Sequence, residues 1–320
     1  MKAAVYDEYG GPEVVYLSEV NKPEPKEDDI LIEVHATTVA SGDWRMRSKI
    51  VPGAFKYLAP LIFSSKPKNR ILGTELSGVV AQVGPKVHNW QIGDEVFAFP
   101  GSKLGAHAEY ITMPAKGRVA KKPRNLSFEE AAALCFGGST ALSFIEKSGG
   151  ISKGERFLVI GASGSVGSAM VQLAKYYGAH VTGVCSAKNL SVVKKLGADE
   201  VIDYNTTDIF SNGQTFDLIC DTVGSAPAKK AKSILKAKGR LLLVMAGLGD
   251  MLSSIFSKQI IAGPAVEDPK HLPMLAQLAE QGVYKPLIDR KVRFEKIQDA
   301  HKIVDSGHKV GNIVVSVKAQ

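Results

Sequence analysis

From Arg156 onward the chain alternates short, wholly apolar runs with stretches whose apolar residues recur every three or four positions. "RFLVIGAS" leads into "SVGSAMVQLAKYYGA", "HVTGVCS" into "NLSVVKKLGA" and "FDLICDTVG" into "AKKAKSILKAKG", and the series closes on "RLLLVMAG". Apolar runs of this kind predict strands buried on both faces, and the periodic stretches predict the helices that bury them. The expected architecture is α/β, with a doubly wound parallel sheet over about residues 120 to 260. Earlier segments such as "ILIEVHATTVA", "GVVAQVG" and "DEVFAFP" are strand-like and closely punctuated by Gly and Pro. Between the two regions, "SFEEAAALCFGGSTALSFIEKSG" predicts one helix, capped by Ser127, with acids in its first turn and a glycine break. From Lys270 the alternation stops, and "HLPMLAQLAEQGVYKP", "KIQDAHKIVDSG" and "NIVVSV" are expected to pack back on the N-terminal region. The first domain would then be discontinuous.

Composition narrows the class. A length of 320 residues gives roughly two domains. With 45% apolar and 22% charged residues the balance is that of an ordinary soluble protein. No apolar run is long enough to span a bilayer, and "MKAAVYDEYGG" lacks the apolar core and cleavage site of a secretion signal, so a cytoplasmic enzyme is expected. Cys135, Cys185 and Cys220 are isolated in sequence, which excludes a disulfide framework and a four-cysteine zinc site and suits a reducing compartment. The net charge of +8 has its densest cluster in "AKKAKSILKAKGR", Ala228 to Arg240. That cluster reads as the end of a solvated surface helix, so no nucleic-acid partner is expected.

The strongest chemical signal is "FLVIGASGSVGSAMVQLAK". A strand ending at Ile160, a glycine-rich turn and a helix starting near Val166 are the context in which a pyrophosphate rests on free N–H groups at a helix N-terminus. Gly161, Ala162, Ser163, Gly164, Ser165, Val166 and Gly167 form the candidate phosphate loop, with alanine at the usual first glycine. NAD-binding domains present a carboxylate at the end of the next strand, but here "VTGVCSAKN" offers Cys185, then Ser186 and Lys188. A hydroxyl and an ammonium suit a 2′-phosphate, so the expected cofactor is NADPH.

With these pieces in order, the sequence resembles the zinc-independent quinone oxidoreductase branch of the medium-chain dehydrogenase/reductase superfamily. The resemblance runs through "MKAAVYDEYGGPEVVYL", "KPEPKEDDILIEVHATTVASGDW", "ILGTELSGVVAQVG", "GDEVFAF", "GASGSVGSAMVQLAKYYGAHV", "LGADEVIDY", "DTVG" and "SGHKVGNIVVSV". It implies a GroES-like β-barrel catalytic domain over residues 1–120, a Rossmann NADPH-binding domain over 121–262, and a C-terminal part, 263–320, that completes the first. Ser186, Lys188 and Tyr204 match positions around the adenosine 2′-phosphate. Thr140, Val223, Met245, Ala246 and Gly247 match positions lining the nicotinamide half, and Asn312 matches one where the last strand reaches the cofactor. A homodimer is also implied, through the segment around Met251 to Gly263.

Zinc-using members of the superfamily carry three catalytic ligands at positions that are Ala40, Thr74 and Phe136 here, so no metal is expected. Without a Lewis acid, alcohol oxidation is difficult, whereas hydride transfer to a quinone or an α,β-unsaturated carbonyl needs only donors that stabilise the developing oxyanion. Thr74 is the favoured donor, with Lys66, Arg70 and backbone amides as alternatives. Asp43 and Glu75 read as structural anchors. Two other readings stand beside this one: an enoyl-thioester reductase, and an NADPH-binding regulatory or membrane-peripheral protein with little turnover. The stretch from Trp44 to Lys68, expected to shape the substrate pocket, has no readable pattern.

Overall fold

A computed structural model describes residues 1–50 and 64–318. Part of the Trp44 to Lys68 stretch, residues 51–63, therefore lies outside the described residues. The chain folds into two compact units. One comprises residues 1–50, 64–136 and 268–318, and the other is Gly137–Glu267.

The first unit is built on the long strand Asp29–Val39. It pairs antiparallel with Leu76–Val83, with Tyr110–Pro114 and with the C-terminal strand Asn312–Ser316, so the chain's end is hydrogen-bonded into its beginning. Strands Glu95–Ala98 and Val119–Lys121 extend the sheet on one side and Ile288–Arg293 on the other. Ile30, Ile32, Val34, Leu76, Val80, Val96 and Ile111 fill one apolar core, while Val39, Leu72, Phe294, Ile297, Ile313 and Val315 build a second beneath helix Ile297–Asp305.

The second unit holds a six-stranded parallel sheet in the order Glu200–Asp203, His180–Cys185, Arg156–Ile160, Phe216–Asp221, Leu235–Leu243, Ile260–Ala262. The first strand in sequence, Arg156–Ile160, lies in the middle. The chain winds from it to one edge and then returns to wind to the other. Loops after Ile160 and Asp221 therefore part at the switch point, where α/β sheets leave a crevice for ligands.

Two elements depart from the sequence expectation. The helix starting at Ser127 is two helices, Phe128–Ala132 and Cys135–Lys147. The break falls at Ala133 and Leu134, while both glycines lie inside the second helix. Gly137 is there for space, because a Cβ on it would lie 2.6 Å from the Ser165 carbonyl oxygen. The lysine-rich segment is helical only over Ala228–Ser233. Ile234 is buried, and Leu235 already pairs with Phe216 in the sheet. Two residues on the neighbouring strand span five here, from Leu235 to Arg240, so Lys236 to Lys238 loop outward.

Candidate functional site

The phosphate loop takes the form the sequence requires. Gly161 has φ +80° at the end of its strand, Gly164 caps helix Ser165–Tyr176 in extended conformation, and the Gly164 amide donates to the Gly161 carbonyl at 3.0 Å. A Cβ on Gly167 would lie 2.1 Å from the Gly161 carbonyl oxygen, so this glycine lets the helix approach the strand. The Ser165 hydroxyl is buried at the helix start and has no hydrogen-bond partner among the described residues. An unpartnered donor beside free first-turn amides fits a phosphate group.

Around this loop the structure collects most of the other expected cofactor residues in the same unit. Ser186 is half-buried and Lys188 exposed in the turn Ala187–Asn189, next to strand His180–Cys185. Asp203 pairs with Cys185, which sets Tyr204, 58% exposed, alongside Ser186. Val223, 54% exposed, stands on the turn after Asp221, and Met245, Ala246 and Gly247 follow the neighbouring strand. Thr140 is buried in helix Cys135–Lys147. Asn312 belongs to the first unit, where its side-chain amide and its backbone amide both donate to the Leu287 carbonyl, at 3.0 and 2.8 Å.

Two residues that sequence reasoning missed hold this arrangement. Asn189 donates to the Ser163 hydroxyl at 3.0 Å, tying the adenosine turn to the phosphate loop. Asp221 accepts from the amides of Val223 and Gly224, both at 2.9 Å, and of Ala226 at 2.7 Å. It builds the turn that presents Val223. Burial pushes its carboxyl up, opposed by these backbone donors. Its signal was present in "DTVG", an acid followed by turn-forming residues.

In the first unit, Thr74 is 6% exposed, and its hydroxyl has no hydrogen-bond partner among the described residues. A Cβ on Gly42 would meet Phe136 Cε2 at 3.5 Å and Thr74 Cγ2 at 3.7 Å, so these two expected positions do converge. The set Ala40, Thr74 and Phe136 supplies a methyl, a neutral hydroxyl and an aromatic ring, which does not fit a zinc ion. Among the described residues no three His, Cys, Asp or Glu side chains cluster as ligands. Of the alternative donors, Lys66 is exposed, and the Arg70 guanidinium is committed to Asp7, Nε to Oδ1 at 2.5 Å.

The neighbouring carboxylates are anchors. Asp43 accepts from the amides of Ala40 and Gly73, both at 2.8 Å. Glu75 is fully buried, accepting from the Thr38 hydroxyl and, at 2.5 Å, from the Phe136 amide. Burial raises Glu75 to about 7, with those two donors pulling the other way. Lys309, unremarked in the sequence, is pushed down to about 8 by burial, opposed by Glu75.

Deeper in the same unit, His107 bonds through Nε2 to the Thr38 carbonyl at 2.9 Å and meets His301 edge-on at 5.5 Å. Arg47 is fully buried with one nitrogen on Asp305, and neither ring nitrogen of His301 has a partner among the described residues. Burial, then His107 and Arg47, hold His301 well below 6.5. The unfolded chain therefore takes up a proton below about pH 6.5 that the folded one refuses. Stability is fully present above that pH and drains below it, at about 1.4 kcal/mol per unit. Glu75 works in the opposite sense, its contribution being present below 4.5 and lost as pH rises through about 7. Removing His301 alone isolates the first effect. Between about pH 6.5 and 5, His301→Leu should lose about 2 kcal/mol less than the unmodified protein in urea unfolding. A parallel decline in both proteins would show that His301 is not held neutral.

The sequence matches the alcohol dehydrogenase GroES-like domain over residues 26–124 and the zinc-binding dehydrogenase family over residues 196–315. The 2-methylene-furan-3-one reductase of Solanum lycopersicum is 34% identical, across 98% of this chain and 79% of its own. The chloroplast envelope quinone oxidoreductase homolog of Arabidopsis thaliana is 30% identical, across 98% of both chains. The chain belongs to the zinc-independent quinone oxidoreductase branch of the medium-chain dehydrogenase/reductase superfamily. Among solved structures, the quinone oxidoreductase from Coxiella burnetii is similar with a TM-score of 0.87 and 26% identity, across 99% of each chain. As a member of this branch the protein is an oxidoreductase that uses a nicotinamide cofactor. The zinc in one family description finds no matching donor set at Ala40, Thr74 and Phe136. Among the described residues no helix is long and apolar enough to cross a membrane.

Proposed function

We propose that the protein reduces quinones or α,β-unsaturated carbonyls with NADPH, using hydrogen bonds where zinc-dependent relatives use a metal ion. The observation that carries the proposal is the buried Thr74 hydroxyl, without a hydrogen-bond partner among the described residues, at a position matching a ligand of those relatives. NADPH, when bound, supplies a hydride. The chain's part is to hold the reactants in register, exclude water and stabilise the oxyanion or enolate that develops on the acceptor. Thr74 donates to that oxygen. In the proposed cofactor site, the loop from Gly161 to Gly167 holds the pyrophosphate, Ser186, Lys188 and Tyr204 surround the 2′-phosphate, and Thr140, Val223, Met245, Ala246 and Gly247 line the nicotinamide end; Asn312 is assigned to the cofactor by the resemblance alone. Solvent delivers the final proton.

The test is oxidation of NADPH and NADH with a panel of quinones, alkenals and an enoyl thioester, with and without a chelator. A preference for NADPH with quinones or alkenals, insensitive to chelator, supports the proposal. Faster turnover of the thioester would move the substrate class, and no stimulation by any acceptor would leave a binding protein. Thr74→Val should lower kcat at least tenfold, about the loss of one oxyanion donor, with cofactor affinity unchanged. An unchanged kcat removes Thr74 from the mechanism.

A homodimer belongs to the same proposal. Strand Ile260–Ala262 ends the sheet with one side unpaired among the described residues, and an unpaired edge can pair with its own copy. Sedimentation of the intact protein tests it. A cytoplasmic setting is proposed from the three buried, free cysteines, although the Arabidopsis relative is named for the chloroplast envelope.

A further inference from the structure

Between Ala131 and Ile145 every residue is buried except Phe136. A phenyl ring in so apolar a stretch is ordinarily packed away with its neighbours. This one has no other aromatic ring against it among the described residues. Its backbone is fixed all the same. The Phe136 amide donates to Glu75 Oε2 at 2.5 Å, Glu75 Oε1 takes the Thr38 hydroxyl, and the preceding Cys135 thiol reaches the Ala98 carbonyl at 3.6 Å. The residue is therefore held in place while part of it stays open.

What it opens onto is shown by Gly42, in helix Ser41–Ser48. A Cβ there would lie 3.5 Å from Phe136 Cε2 and 3.7 Å from Thr74 Cγ2, and beyond the Gly42 helix itself no other atom of the described residues comes within 4 Å of that point. The backbone at Gly42 is helical and would accept any residue, so what the glycine provides is room. The ring edge, the Thr74 methyl and the bare Gly42 backbone thus border an open space. The Thr74 hydroxyl, on the same side chain as that methyl, is buried and has no hydrogen-bond partner among the described residues.

We propose that Phe136 makes this site selective for flat aromatic quinones over open-chain alkenals: the quinone lies on the phenyl ring while one of its oxygens meets Thr74. This deepens the proposed function and rests on it. A quinone ring is electron-poor and the face of a phenyl ring carries negative charge density, so offset stacking suits the pair. An alkenal offers one short conjugated unit and gains little from the contact. Because the bond to Glu75 already fixes the Phe136 backbone, little is spent on ordering the ring when the acceptor arrives. The acceptor is a better occupant than the nicotinamide ring. In zinc-dependent relatives the metal held at these positions polarises the acceptor's oxygen, and Thr74, beside Phe136, takes over that task.

The experiment compares Phe136→Leu, Phe136→Tyr and the unmodified protein with naphthoquinone, with crotonaldehyde, and with naphthol, which has the same flat bicycle and an oxygen but accepts no hydride. Leucine keeps an apolar side chain and removes the flat face, so kcat/KM for naphthoquinone should fall about tenfold and that for crotonaldehyde no more than about threefold. Tyrosine keeps the face and should hold naphthoquinone turnover to within about twofold of the unmodified protein. Affinity for naphthol, measured by calorimetry with oxidised cofactor present, should fall about tenfold with leucine and not with tyrosine, and affinity for NADPH should not move. Gly42→Val reads the same space without touching the ring, and keeps the test open if the leucine variant does not fold. Its branched side chain should lower naphthoquinone turnover and naphthol affinity by about tenfold or more. A leucine variant that slows both acceptors alike, or neither, overturns the proposal, as does an undiminished Gly42→Val. So does leucine that weakens NADPH binding and spares naphthol, which would give the ring to the nicotinamide. If none of the proteins reduces either acceptor, the proposed reaction fails, while naphthol binding still decides the role of Phe136.

Discussion

Gly167→Ala should weaken nicotinamide-cofactor binding by about a hundredfold or more while leaving the protein folded. The new Cβ would sit 2.1 Å from the Gly161 carbonyl oxygen, 2.8 Å from its carbon and 2.9 Å from Ala162 Cα, all backbone atoms that no rotamer change can clear. The helix must move off the strand. Its first-turn amides then no longer point where the pyrophosphate lies, and losing two hydrogen bonds to a charged group, at about 1.5–3 kcal/mol each, is enough for a hundredfold effect. Gly164→Ala is the internal comparison. Its Cβ would lie 3.4 Å from the same carbonyl oxygen, and its φ of −78° suits any residue, so a small loss is expected. Titration of both variants with reduced cofactor, read by fluorescence, decides the matter. Equal affinities for the two would mean that the anion does not rest on this helix.

The double substitution Ser186→Asp, Lys188→Ala should reverse the preference between NADPH and NADH, shifting the ratio of their kcat/KM values by two orders of magnitude or more. The proposed 2′-phosphate site offers a half-buried hydroxyl, an exposed ammonium and the Tyr204 ring. The competing carboxylate nearby, Asp203, is turned into its own loop, accepting from the Asn205 backbone amide at 3.0 Å and side-chain amide at 2.9 Å. Losing a hydrogen bond to a charged group costs about 1.5–3 kcal/mol. The new carboxylate adds repulsion for the phosphate and an acceptor for the 2′-hydroxyl of NADH. Steady-state kinetics with both cofactors and one acceptor measure the ratio. An unmoved ratio would place the 2′-phosphate elsewhere.

Legibility of the sequence follows the length scale of the interaction. The phosphate loop can be read because strand, turn and helix are contiguous and each glycine has a local cause: a positive φ at Gly161 and a close approach at Gly167. The end of strand Leu235–Leu243 is legible in the apolar run after Arg240, but its start is hidden, because lysines at helical spacing outweigh the pull of Ile234 and Leu235 into the sheet, a tertiary effect that a local pattern does not contain. The helix break at Ala133 and Leu134 is masked by the glycines for the same reason: what makes Gly137 necessary is the Ser165 carbonyl, 28 positions away in sequence. Glu75 and Asp43 can be named as anchors from sequence, but their partners Thr38, Phe136, Ala40 and Gly73 need coordinates. Lys309, Arg47 and His301 give no sign at all, because an ionisable side chain held inside the fold looks in sequence like any surface one.

The three cysteines bear on how long such an enzyme survives its own substrates. Quinones and enones are Michael acceptors, and they alkylate thiolates. Cys135 and Cys220 are fully buried and Cys185 nearly so, and burial pushes all three thiols up, Cys185 to about 11. At neutral pH almost no thiolate is present, and none of the sulfurs is open to solvent. Under the proposed reaction, the chain can pass electrophiles through its active site for many turnovers without offering them a thiolate of its own.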